Sequence, residues 1–265
     1  MFLEDASVLW NTHVQSDYYR LGLRCHARYR HAMPGQFVTL HLPGQKSPLL
    51  RRPFSIHRLV ETDGAVQGIE ILYKVVGEFT QKLAGVGTDD MISLFGPLGN
   101  GFSIPVDVRR LYLAAGGVGV APMMFLIRQL KKNNREFTCC SLFLGGRTHE
   151  DVICESDFSA LGVSVHVTTD DGSYGDQCLL TTPLEAAVQN DPPDLLIACG
   201  PKGMLACVAG IAERYHVKCQ MSLETMMACG MGVCLGCAVA PSEIGSPYFH
   251  ACINGPVFDS QTIII

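Results

Sequence analysis

The chain has no block of like charge and no basic excess: its 20 Lys+Arg stand against 25 Asp+Glu, a formal net charge of -5. Polyanion binding needs a concentrated positive face, so no nucleic acid is expected as a partner. No apolar run is long enough for a membrane. The longest, 111–127, is broken by three glycines and a proline and falls short of the roughly 20 residues that a spanning helix requires. A basic leader is missing too: the first residues are Met1-Phe2-Leu3-Glu4-Asp5, acidic where a secretory signal is positive, so a cytoplasmic protein is expected, with cysteines kept as thiols or metal ligands. Only 17% of the side chains are charged and 48% are hydrophobic, which excludes disorder and leaves ample apolar surface for a packed core. A length of 265 residues exceeds the roughly 100–200 of one domain, so two domains with a small appendage are expected.

The texture changes twice along the chain. Short β-prone runs at 23–30, 36–42, 49–59, 66–76 and 91–95, with Thr62-Asp63-Gly64 as a hairpin turn, predict an antiparallel barrel over 1–101. No helical period precedes Gly101. Over 102–218, buried β runs at 111–115, 140–144, 163–168 and 195–199 alternate with helical segments at 121–132, 179–189 and 201–215, the pattern of βαβ units and a parallel sheet. Over 219–265 the chain turns rich in Gly, Cys and Met with no helical stripe, and something other than a hydrophobic core is expected to hold it. The terminal Ile263-Ile264-Ile265 is expected to pair as a last strand. The fold class is thus α+β multidomain: an N-terminal antiparallel β-barrel, a central α/β parallel-sheet nucleotide domain and a small C-terminal metal module.

Four of the 12 cysteines lie in that last segment as Cys229-x4-Cys234-x2-Cys237, followed after fourteen residues by Cys252. This is the ligand spacing of a plant-type [2Fe–2S] cluster. Gly230, Gly232 and Gly236 sit between and beside the ligands, where small residues let backbone amides turn toward sulfur. A structural zinc site usually shows two C-x2-C knuckles and here only Cys234 and Cys237 form one, so a zinc-stabilised binding module is the lesser alternative. Cys139 and Cys140, adjacent on a strand, and the scattered Cys25, Cys154, Cys178, Cys199, Cys207 and Cys219 read as small hydrophobes.

An iron–sulfur centre passes single electrons, and the barrel offers a source for them. Arg52-Pro53-Phe54-Ser55 sets a cation, a ring and a hydroxyl on an extended strand, able to meet a pyrophosphate, a flat ring system and a ring heteroatom. Leu72-Tyr73-Lys74 and Gly77-Glu78-Phe79-Thr80 add a lysine for phosphate and a threonine, at a helix start, able to present hydroxyl and amide to an anion. In the second region the strand 111–115 runs into Gly116-Gly117-Val118-Gly119-Val120-Ala121-Pro122, and Cys199-Gly200-Pro201 closes a later strand. Both turns are expected at the carboxyl edge of the parallel sheet, where dinucleotides bind. Arg147, Glu150 and Asp151 after Gly145-Gly146 give conflicting signals for NAD against NADP.

Taken in order, Pro34-Gly35-Gln36-Phe37-Val38, Arg52 to Ser55, Gly116 to Pro122 and Cys199-Gly200-Pro201 make nearly the whole chain resemble the ferredoxin–NADP reductase superfamily. The run from Ser222-Leu223-Glu224 to Cys237, with Cys252-Ile253-Asn254-Gly255-Pro256-Val257-Phe258, narrows the resemblance to the electron-transfer subunits of NAD-dependent, class 1B dihydroorotate dehydrogenase. The resemblance implies FAD at Arg52–Ser55, Leu72–Lys74 and Phe79-Thr80, one [2Fe–2S] cluster on Cys229, Cys234, Cys237 and Cys252, and NAD as co-substrate at the two glycine turns. It implies a relay without catalytic residues of its own for dihydroorotate. The partner implied is an FMN-containing dihydroorotate dehydrogenase catalytic subunit, in a heterotetramer of two of each, acting in pyrimidine biosynthesis. A ferredoxin- or sulfur-linked NAD(P) oxidoreductase subunit is the alternative of the same layout, although relatives of that kind tend to carry aspartate where Cys229 stands. The family commonly has Gly-Thr where this chain has Phe79-Thr80. Glu224 is open to two readings, a flavin neighbour or a solvated carboxylate, and Met226, Met227 and Met231 read as gap fillers.

Overall fold

The computed structural model describes residues 1–45 and 47–265. In the first region, side chains at every second position point to one interior. Leu21 and Leu23, Val38 and Leu40, Ile69 and Ile71, Ile92 and Leu94 are all buried in one cluster, as the two-residue strand period demands. They belong to β1 (Phe2–Gln15), β2 (Tyr18–Arg24), β3 (Phe37–His41), β4 (Arg52–Thr62), β5 (Ala65–Lys74) and β6 (Met91–Leu98), which close into a barrel in the order β1-β2-β5-β4-β3-β6. Every pairing is antiparallel, and closure leaves no free strand edge. Asp63 and Gly64, at φ 51° and 76°, make the tight hairpin between β4 and β5.

Three differences from the sequence reading lie here. β1, the longest strand, has no expected counterpart: only Ala6 and Val8 are fully buried on it, so its alternation is faint, and it is fixed by pairing with both β2 and β6. The strand expected at 23–30 lies earlier, as β2, and the 3₁₀ turn Ala27–His31 takes its second half. A short helix, α1 (Glu78–Ala84), also falls before Gly101.

The second region builds a seven-stranded sheet of β7 (Arg110–Gly116), β8 (Cys139–Gly146), β9 (Ser164–Thr169), β10 (Asp176–Gln177), β11 (Leu195–Cys199), β12 (Cys219–Ser222) and β15 (Val257–Asp259), in the order β10-β9-β8-β7-β11-β12-β15. All pairs are parallel except β12 with β15. Helices α2 (Ala121–Lys132), α3 (Glu155–Ala160), α4 (Thr181–Asn190) and α5 (Lys202–Arg214) connect the strands. Strand order reverses beside β7, which lies between β8 and β11, so the crevice that open α/β sheets use for ligands opens at the carboxyl ends of these three strands.

The sheet does not stop at 218. β12 pairs with β11 and β15 with β12, so the C-terminal segment supplies two strands to the nucleotide domain. Nor is that segment without a core: Cys237, Val239, Ala251, Cys252 and Phe258 bury against Phe37, Phe95 and Leu98 of the barrel. The small hairpin of β13 (Ala238–Val239) and β14 (Phe249–His250) completes it. The terminal isoleucines do not form the expected strand; Ile263 makes one bridge to Pro241, and Ile264 N–H donates to the Ala240 carbonyl at 2.9 Å.

Barrel and sheet are tied through α2. Its Met123, Met124, Leu126 and Ile127 pack on the sheet, while Phe125 enters the barrel core. His57, buried on β4, donates from Nδ1 to the Ala121 carbonyl at 3.2 Å. Burial lowers its pKa to about 3, so the ring stays neutral and the bond needs no counter-charge.

Candidate functional site

Because α2 is docked against the barrel, the carboxyl edge of the sheet faces the barrel strands, and a cavity of about 490 Å³ opens between them. Its barrel wall is made by Arg52, Pro53, Phe54 and Ser55 on β4, Leu72, Tyr73 and Lys74 on β5, and Gly77, Phe79 and Thr80 at α1. Val118, Ala121 and Cys199 form the opposite wall, and the stretch from Ser222 to Thr225 with Met227 closes one end. The Phe54 ring is held edge-on to Tyr73 at 6.1 Å and tilted against Phe79 at 5.9 Å. Tyr73 is stacked on Tyr19 at 5.5 Å and donates to Asn11 Oδ1 at 3.1 Å. These rings are preset by one another, which gives the cavity a rigid aromatic side.

Three of the expected residues are used differently from their sequence reading. The Thr80 hydroxyl accepts from Val76 and Gly77 N–H at 2.9 and 3.1 Å and donates to the Gly77 carbonyl at 3.0 Å. The hydroxyl is an internal cap and has no proton left for an anion, so of the expected pair only the backbone amide could serve one. Phe79 carries its ring into the barrel core, so the turn is anchored by a side chain where a glycine would leave it free. Lys74 donates to Asp151 Oδ1 at 2.6 Å and is not a free phosphate ligand.

A second cavity, of about 690 Å³, lies over the sheet and is lined by Gly116, Gly117, Gly145, Gly146, Gly200 and Pro201, with Arg147, Asp151, Asp170 and Thr181. Lys74, Val118 and Glu224 line both cavities, so the two meet there. Gly119 and Pro122, expected at the ligand, lie behind the turn. A Cβ on Gly119 would stand 2.2 Å from the Cys199 carbonyl oxygen, so this glycine serves the contact between two backbone turns, and Pro122 occupies the first turn of α2. Cys199 faces the first cavity, not the second; burial pushes its thiol up to about 12, which makes it an inert wall.

Sequence reasoning missed Tyr18, Asp170 and the rest of the Ser222–Met227 wall around Glu224, which is open to two readings from the sequence and lines the first cavity. Only Asp170, in the turn-rich run Thr169-Asp170-Asp171-Gly172 after a strand, carried a local signal. Of the conflicting trio after Gly146, Glu150 turns away to accept from the Ser16 hydroxyl at 3.1 Å, and Asp151 is taken by Lys74 and Tyr18. Glu224 is exposed where the cavities meet, and desolvation by their walls raises its carboxyl above the usual range.

The four cysteines of the C-terminal segment gather beyond the Ser222–Met227 wall. Cys237 and Cys252 are buried with their sulfurs 3.2 Å apart. Cys229 Sγ accepts from Met231 and Cys234 N–H, both at 3.4 Å, and Cys252 Sγ accepts from Gly232 N–H at 3.2 Å. The loop must curl tightly for this, and Gly232 does so at φ 78°, where a Cβ would also strike Ile253 Cδ1. Burial opposes ionisation of Cys229, but the amides and the Cys234 side chain outweigh it and hold the thiol down at about 6; burial and the neighbouring Cys237 push Cys252 up to about 12. Among the described residues no three Cys, His, Asp or Glu side chains close on a single ion. The sulfurs stand instead as Cys229 with Cys234 and Cys237 with Cys252. Two thiol pairs with amides turned on their sulfurs fit a two-iron cluster, in which each iron takes two protein ligands.

Comparison with known proteins follows these features. A family model described as the iron–sulfur cluster binding domain of dihydroorotate dehydrogenase B matches residues 224–264, and one for an oxidoreductase NAD-binding domain matches residues 113–210. The "Dihydroorotate dehydrogenase B (NAD(+)), electron transfer subunit" of Desulforamulus reducens is 33% identical over 98% of this chain and 97% of its own length. That of Geobacillus kaustophilus is 37% identical over 88% and 87%. Among solved structures, a chain of the NADH-dependent reduced ferredoxin–NADP oxidoreductase shares the fold at a TM-score of 0.82, with 24% identity over 98% of this chain and 89% of that one.

Proposed function

Because the chain belongs to the family of electron transfer subunits of NAD(+)-linked dihydroorotate dehydrogenase B, we propose that it is a relay holding FAD in the 490 Å³ cavity, a [2Fe–2S] cluster on Cys229, Cys234, Cys237 and Cys252, and NAD in the 690 Å³ cavity. Held there, FAD would supply the exchange between a two-electron hydride and single electrons, and a cluster on the four cysteines would supply the one-electron path toward the FMN of a catalytic subunit. One observation carries the reading: the Ser222–Met227 stretch that walls the flavin cavity runs directly into Cys229, so one short segment touches both sites.

The chain's own residues set the geometry of this relay. Phe54 offers a fixed ring face, Ser55 a hydroxyl, and Arg52, half-buried with NH1 donating to the Leu50 carbonyl at 2.9 Å, a guanidinium for pyrophosphate. Gly116 and Gly117 open their backbone to the dinucleotide from the sheet edge. Around the cysteines Met226, Met231, Val233, Leu235 and Ile253 stand exposed, an apolar face suited to docking the catalytic subunit, two copies of each chain making the complex. No helix among the described residues is long and apolar enough to cross a membrane, and all the cysteines are unpaired, in keeping with a cytoplasmic site of action.

Protein purified without oxygen is expected to be yellow-brown, with iron and acid-labile sulfide in equal amounts, a paramagnetic signal on reduction, and flavin bleached by NADH. It is expected to leave dihydroorotate untouched until the catalytic subunit is added. A colourless preparation holding one zinc would sink the reading.

Asp170 explains a preference for NAD. At the end of β9 it lines the dinucleotide cavity, where a carboxylate accepts from a ribose 2′-hydroxyl and repels a 2′-phosphate. Asp170→Ser is expected to lower the ratio of NADH to NADPH efficiency about tenfold, through KM for NADPH. An unchanged ratio would assign specificity elsewhere.

A further inference from the structure

The point where the two cavities meet carries a charge pair to which the relay assigns no task. Lys74 ends β5 and lines both cavities. Its Nζ donates to Asp151 Oδ1 at 2.6 Å, and the same oxygen accepts the Tyr18 hydroxyl at 2.8 Å. The Tyr18 ring lies beneath the ammonium, 4.9 Å from Nζ to the ring centre. Asp151 Oδ2 accepts from the Arg147 backbone N–H at 3.3 Å and faces the exposed Arg147 guanidinium at 3.6 Å. The Lys74 and Asp151 side chains are only 22% and 11% exposed, so water screens the pair weakly. A Cβ on Gly117 would stand 3.2 Å from the Tyr18 hydroxyl; the triad therefore lies against the glycine turn.

A lysine meant to seize a phosphate keeps its charge free. Here the charge is cancelled in place by a carboxylate from the other domain, and against its burial that carboxyl is held below the usual range first by Lys74 itself, then by the Tyr18 hydroxyl and the Arg147 amide. Glu224 lines the same junction but forms no ion pair with Lys74, whose partner is Asp151. The inference rests on the relay reading, in which flavin and nicotinamide approach one another at this junction. A nicotinamide ring is cationic when oxidised and neutral when reduced, so an uncancelled positive charge beside it penalises only the oxidised form. Within a poorly screened site, unit charges several ångströms apart interact by more than the thermal energy.

We propose that Asp151 is a positioning residue for the nicotinamide: by clamping and neutralising Lys74 between the two cavities, it lets oxidised and reduced dinucleotides bind with comparable strength beside the flavin.

The test uses the full chain loaded with flavin and two probes, NAD+ and the redox-inert, neutral-ring 1,4,5,6-tetrahydro-NAD. Asp151→Asn leaves Lys74 uncancelled, and the affinity for NAD+ relative to the analogue is expected to fall about tenfold. The flavin midpoint potential is expected to rise, because a bare cation favours the added electrons. Lys74→Met leaves a bare carboxylate instead and is expected to move both quantities the opposite way, a reversal that mere loss of packing would not produce. The double variant is expected to return toward the wild-type ratio. Should Asp151→Asn fail to fold, the sign of the Lys74→Met shift decides. A ratio and potential unchanged in the single variants, or moved the same way in both, would overturn the proposal; wild-type protein that bound neither flavin nor NAD+ would overturn the relay reading instead.

Discussion

Cys229→Ala is expected to remove the paramagnetic signal of the reduced protein while leaving its flavin in place. The two outcomes separate because the two sites share a wall and not a ligand: Cys229 is absent from the lining of the flavin cavity, whereas its sulfur collects the Met231 and Cys234 amides. Its thiol, held down at about 6, favours the thiolate, which is the metal-binding form. Alanine offers no donor and leaves three sulfurs for two irons. Iron and sulfide analysis, low-temperature spectroscopy and NADH-driven flavin bleaching check the prediction together. Bleaching should persist, and transfer to the catalytic subunit should fall to background. Cys178→Ala, outside both cavities and the loop, serves as the control. A full cluster signal in Cys229→Ala would refute the ligand assignment.

Gly119→Ala should have the second largest effect, on stability and on NADH use at once. A methyl group there would meet the Cys199 carbonyl oxygen at 2.2 Å, its carbon at 2.6 Å and Gly200 N at 2.9 Å. All three are backbone atoms, so no side chain can swing aside. Relief requires the turn after β7 to move away from the turn after β11, and these two turns line the dinucleotide cavity through Gly116, Gly117, Gly200 and Pro201. A loss of about 3 kcal/mol in chemical denaturation is expected, with flavin reduction by NADH slowed in the fraction that folds. The cluster, held by a core that contains none of these residues, should form normally. Wild-type stability together with wild-type NADH affinity would contradict the close approach.

Local chemistry made part of this legible in advance. The spacing of Cys229, Cys234, Cys237 and Cys252 matches what a two-iron cluster needs, and it can be read without any fold. The βαβ alternation is likewise local: α2 and β11 lie at the expected positions because their apolar patterns are strong and their ends are marked by glycine and proline. Phe54 and the glycine turns share that legibility, since an extended Arg-Pro-Phe-Ser run and a strand–glycine–helix run constrain their own backbones. By contrast β1 announces itself poorly, because a strand with only two fully buried residues is defined by its partners.

What the sequence alone determined, then, are the features whose chemistry depends on neighbours along the chain: the cysteine spacing, the aromatic strand and the glycine turns. Only the tertiary structure decided which groups are already spent. It turns Thr80 into a cap, sets Gly119 behind its turn, takes β12 and β15 into the sheet, and cancels Lys74 with Asp151, 77 residues away. The reason is physical: a hydrogen bond or ion pair between distant residues is specified by neither side chain's own surroundings in the sequence, and only packing brings the two within reach.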